Sequence, residues 1–72
     1  MKYETRTMQV IIVPEGQDSF SEYATSITIV DEGGGEFLEI QQQKEQDKIR
    51  IDKNEWPALR DAIEKMMSEC RE

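Results

Sequence analysis

The sequence predicts an α+β domain, an antiparallel four-stranded meander followed by one C-terminal helix packed on the sheet. Two patterns predict it. Between residues 7 and 52, short runs rich in β-branched residues alternate with breaks rich in Pro, Gly and Asp, the punctuation of strands and tight connections. Behind Asp52 and Asn54, the residues Trp56, Leu59, Ile63, Met66 and Cys70 recur at spacings of three and four, which draws one apolar stripe along a helix. Length adds a third observation. The 72 residues suffice for one domain, spanning residues 1–72, and neither a short sheet nor a single helix is stable unless its apolar face is covered.

The elements follow in order. Thr7 to Val13 is a β-branched run that stops at Pro14, and Glu15-Gly16-Gln17-Asp18-Ser19 has turn composition, so strand one covers about 7–13. From Phe20 to Val30 the chain alternates, with Tyr23, Thr25, Ile27 and Ile29 on one face and Ala24, Ser26, Thr28 and Val30 on the other, giving a second strand over about 20–30. Asp31-Glu32-Gly33-Gly34-Gly35 interrupts it, because consecutive glycines permit positive φ and lose too much entropy to sit inside a strand. A hairpin leads into a third strand, about 36–42, with Leu38 and Ile40 inward and Glu39 and Gln41 outward. After a polar loop, Lys48-Ile49-Arg50-Ile51-Asp52 forms a fourth, its isoleucines on one face and Lys48 and Arg50 on the other. Short connections favour antiparallel neighbours. The helix is expected over about 54–70. Asn54 is the preferred cap, because it leaves Pro57 in the first turn where no intrahelical hydrogen bond is lost, with one 3₁₀-type turn before it. Asp61 and Lys65 are spaced to pair on its exposed side. The predicted core brings Leu59, Ile63 and Met66 against Ile27, Ile29, Leu38, Ile40, Ile49 and Ile51.

Composition narrows the function. Sixteen acidic against nine basic residues give a formal net charge of −7 at pH 7. An acidic domain is repelled from the phosphate backbone unless its basic groups gather on one face. Nucleic acid is therefore an unfavoured partner, and a basic protein is the natural complement to the acidic surface. One cysteine and no histidine leave the chain without an internal disulfide or a zinc site, the usual staples of small domains. Self-association into a homodimer is the remaining way to stabilise it, with Met67 and Cys70 extending the helical stripe beyond what four short strands can cover. No apolar run approaches the ~20 residues of a membrane span, and MKYETRT is too polar for a secretory signal, so a cytoplasmic protein is expected.

No residue cluster demands a chemistry. The carboxylates alternate with polar residues on predicted surfaces, where nothing shifts them towards acid–base work. Without histidine, a serine or cysteine nucleophile lacks its usual activator. Asp31-Glu32 and Glu45-Asp47 lack the spacing of a calcium loop. The triple glycine precedes a strand, whereas phosphate cradles precede a helix. No metal, cofactor or catalytic residue is assigned. The residues that qualify for recognition are Glu39, Glu45 and Asp47 as acidic contacts, Lys48 and Arg50 as a basic pair flanked by Lys44, Trp56 at the start of the helix, and Met67 and Cys70 at its end. The basic pair lies beside Glu39, with Glu22 expected on a neighbouring strand, and no aromatic is evident on their face.

Lys48 to Glu69, KIRIDKNEWPALRDAIEKMMSE, together with the preceding IVDEGGGEFLEI, resembles a family of small uncharacterised phage and prophage proteins. In that family a diglycine-containing hairpin leads to a short strand, an E-W-P-A-L-R helix start and an apolar-striped C-terminal helix. The resemblance covers roughly residues 27–70 and implies a viral origin. By element order, with Trp56 at the helix start, the chain is also similar to the PC4-like single-stranded-DNA-binding fold, which implies a dimer formed through the helix and DNA bound on the sheet. The expected function is a non-enzymatic interaction protein of phage or prophage origin, acting as a dimer and engaging a basic host or phage protein through its acidic surface, as an inhibitor or DNA mimic. A PC4-like single-strand binder using Lys44, Lys48 and Arg50 is the alternative.

Overall fold

In the computed structural model, which describes residues 1–71, four strands are followed by one helix. The strands are β1 (Gln9–Ile12), β2 (Thr25–Asp31), β3 (Glu36–Gln42) and β4 (Ile49–Ile51), and the helix is α1 (Trp56–Glu69). The sheet order is β1-β2-β3-β4 with every neighbouring pair antiparallel, which is the expected meander. Its register aligns the aliphatic residues across all four strands: Val10 faces Ile27, Ile27 faces Ile40 and Ile40 faces Ile49. A second row runs from Ile29 through Leu38 to Ile51. Because side chains alternate between faces, one face collects Val10, Ile12, Ile27, Ile29, Leu38, Ile40, Ile49 and Ile51. Thr28, Glu39, Arg50 and Phe37 belong to the other.

Strand boundaries differ from expectation where side chains compete for the backbone. Phe20 to Tyr23 is not the start of β2. The Phe20 amide donates to Asp18 Oδ1 at 2.9 Å, the Ser21 amide to the Asp18 carbonyl at 3.1 Å, and the Ala24 amide to the Ser21 carbonyl at 3.0 Å. Asp and Ser thereby fold these residues into local turns that outcompete a strand ladder. Phe20 and Tyr23 are left in solvent, and Glu22 lies in the turn rather than on a strand. The β2–β3 hairpin turns at the glycines as expected, with Gly33 at φ 101° and Gly35 at φ 118°, and Asp31 Oδ1 accepts the Gly33 amide at 2.7 Å.

The helix begins one residue later than expected. Glu55 is the cap, in helical conformation and without a capping side-chain hydrogen bond, and Pro57 falls in the first turn. The preceding turn is tight: the Glu55 and Trp56 amides donate to the Asp52 carbonyl, both at 3.1 Å, and Trp56 also reaches Lys53. On the helix surface Asp61 pairs with adjacent Arg60 at 3.3 Å rather than with Lys65.

The α+β order stands, but the helix does not lie across the sheet. No residue of α1 is buried, and Ile63, Met66 and Met67 are exposed. The physical reason is the connection itself, since β4 runs into α1 through a continuously hydrogen-bonded turn that never reverses the chain over the sheet. Among the described residues only Ala24 and Ile51 are buried, so the apolar sheet face is open, with Val10, Ile12 and Ile49 half exposed or more. The molecule measures 53 × 32 × 22 Å with a radius of gyration of 15.0 Å. A compact chain of this length has a radius of about 11 Å.

Candidate functional site

The residues singled out for recognition fall into three separate places. On the polar face of the sheet, the register that sets Ile40 opposite Ile49 necessarily sets Glu39 opposite Arg50. Glu39 is paired with Lys48 at 3.8 Å. Arg50 turns to the hairpin tip, donating both terminal nitrogens to Glu32, at 3.2 and 3.0 Å, and its guanidinium sits 5.2 Å from the centre of the Phe37 ring. Glu39, Lys48 and Arg50 thus come together as a self-neutralised strip. Phe37 and Glu32 were not singled out from the sequence. Phe37 corrects the expectation that this face has no aromatic, and alternation alone places it there, since it stands two residues before Glu39.

Glu45 and Asp47 lie apart from this strip in the exposed loop between β3 and β4. The loop is ordered by Gln41, whose side-chain amide donates to the carbonyls of Glu45 at 3.2 Å and Gln46 at 3.3 Å. Their carboxylates face solvent at one end of the sheet, next to exposed Lys44.

Trp56 borders the opposite, apolar face. It closes one side of a cleft of about 420 Å³ whose floor is Ile29, Leu38 and Ile51, and whose rim carries Arg6 and Glu36, ion-paired at 2.9 Å. Trp56 is 44% exposed, so the cleft is only partly filled. Further along α1, Ala62, Ile63, Met66, Met67 and Cys70 line a shallow apolar groove, and the Cys70 thiol is free and exposed.

Four basic side chains, Arg6, Lys48, Arg50 and Arg60, are each within salt-bridge distance of a carboxylate. Among the described residues no three Cys, Asp or Glu side chains converge on a point that could hold a metal ion. No described helix is long and apolar enough to cross a membrane. Compared with protein-family models, curated proteins and solved structures, the chain matches none.

Proposed function

We propose that this chain is a non-enzymatic interaction protein of phage or prophage type, working as a homodimer and offering an acidic surface to a basic protein partner. The observation that carries the reading is the pairing of its cations. The arginines and the lysine on and beside the sheet are neutralised by Glu32, Glu36 and Glu39, so they form no basic patch, and the net charge of −7 resides on the rest of the chain, where carboxylates outnumber the other cations. A surface of that sign attracts a basic partner and speeds its encounter. Glu45 and Asp47 are the acidic contacts best placed for it, because their loop is exposed and held in shape by Gln41.

One observation favours a second reading, a PC4-like binder of single-stranded nucleic acid. Phe37, Lys48 and Arg50 share a sheet face, and an aromatic beside cations is the kind of platform on which bases stack. Against it, Phe37 is already covered by Arg50, and both cations are engaged by carboxylates.

An oligonucleotide titration separates the two. At physiological salt the expected affinity is weaker than about 10 μM, the range of non-specific protein–DNA binding. Submicromolar affinity that disappears in the Lys48→Ala, Arg50→Ala double variant would replace the first reading with the second. On a partner recovered from host lysate, Glu45→Lys with Asp47→Lys is expected to weaken binding, and more so at low ionic strength.

A further inference from the structure

Two apolar surfaces of this chain have no occupant, and they match in length. The aliphatic face of the sheet follows strands of seven residues, about 23 Å long at the usual strand rise, while α1 has 14 residues and is about 21 Å long. Along the helix, Leu59, Ile63 and Met66 form a stripe of the width that a sheet face accepts.

The surface area says how much is missing. A folded monomer of 8.4 kDa exposes about 4,600 Å² by the usual size scaling. This chain exposes 6772 Å². The excess is about 2,200 Å² per chain, or about 4,300 Å² for two, and obligate dimers bury roughly 2,000–5,000 Å². Part of that excess belongs to the exposed segment before β1, and what remains for the apolar faces is within the range of an interface between two copies.

The chain's own helix is poorly placed to cover its own sheet. Asp52 accepts the Glu55 and Trp56 amides, so the link from β4 to α1 is a locked turn, and it contains no glycine. Trp56 closes one side of the cleft lined by Ile29, Leu38 and Ile51, at the corner of the apolar face. Folding α1 back would break those hydrogen bonds and move the indole away from the edge of the cleft. A helix arriving from a second copy needs neither change.

From this we infer that two copies exchange helices: α1 of each lies on the apolar sheet face of the other, with Leu59, Ile63 and Met66 against Val10, Ile27 and Ile49. The inference rests on the homodimer reading and specifies its geometry. The exchange completes both cores at once and leaves the ion-paired polar faces and the Glu45–Asp47 loops outward. It also makes the interface isologous, as a two-fold dimer requires.

The test uses the unmodified chain. Sedimentation equilibrium first gives its mass, and a dimer in the micromolar range is expected. Isotope-labelled and unlabelled chains are then unfolded together, refolded and examined by isotope-filtered nuclear Overhauser spectroscopy. Contacts between chains, from the Leu59, Ile63 and Met66 methyls to those of Val10, Ile27 and Ile49, are expected. A dimer whose contacts between chains join only helix to helix or sheet to sheet would overturn the exchange while leaving the dimer standing. The same helix–sheet contacts found only within one chain would also overturn it. A monomer at hundreds of micromolar would remove the dimer and the exchange together.

Discussion

Ile51 and Ala24 bear a disproportionate share of the packing, because they are the two buried side chains among the described residues, at 4% and 2% exposure. Ile51 ends the row Ile29, Leu38, Ile51 and floors the Trp56 cleft. Ile51→Ala should cost about 2–5 kcal/mol, the range for deleting a buried aliphatic side chain. Urea melts read this directly, and a loss under about 1 kcal/mol would show that the site is not packed. Arg50 presents the opposite case. Its bonds to Glu32 look strong, yet the two side chains are 59% and 56% exposed, and solvent screens such pairs to about 0–1 kcal/mol. Arg50→Ala should therefore lower stability by less than about 1.5 kcal/mol, counting the Phe37 contact at roughly 0.5–1 kcal/mol.

At the level of elements, the β2–β3 hairpin and the helix depend on different things. The hairpin is locally specified: Gly33 and Gly35 hold backbone angles that side chains rarely adopt, and Asp31 binds the turn amide. Gly35→Ala should cost about 1–2 kcal/mol through backbone strain alone, since nothing lies near the added methyl, and a denaturant melt measures it. The helix is not locally specified. Fourteen residues with no capping side chain are marginal in water, so its order must come from what covers it. Ile63→Asp should accordingly dissociate the dimer and, because the sheet of a lone chain buries almost nothing, reduce the helical and the β-sheet signals in circular dichroism together. This contrast also explains what could be read from the sequence. Periodicity identified all four strands, the helix and the face carrying Leu38, Ile40, Ile49 and Ile51. Turn chemistry at Asp18 and Ser21 overrode the alternation of Phe20 to Tyr23, because alternation is silent on side chains that bind their own backbone. The resting place of α1 was misread for a different reason. An apolar stripe marks a face that water disfavours, but periodicity is silent on the turn at Asp52 to Trp56 that directs α1 away from the sheet. Of the recognition residues, the meeting of Glu39 with Lys48 and Arg50 was legible from register, whereas the Glu32 contact depends on the hairpin tip reaching over β4.

The molecule as a whole is extended rather than compact. Its radius of 15.0 Å goes with an apolar sheet face left open. If a second copy covers that face, the melting temperature rises by a few degrees for each tenfold rise in concentration, because dissociation accompanies unfolding. Calorimetry over a hundredfold range of concentration measures this, and a constant midpoint would contradict it. The scarcity of buried side chains has one more consequence. With only Ala24 and Ile51 held out of water among the described residues, the chain has little protection of its own, and opened chains are what proteases cut. If the chain dimerises, single copies are the vulnerable species until they meet, so survival becomes a second-order event and the amount of protein that persists rises with synthesis as a threshold rather than in proportion.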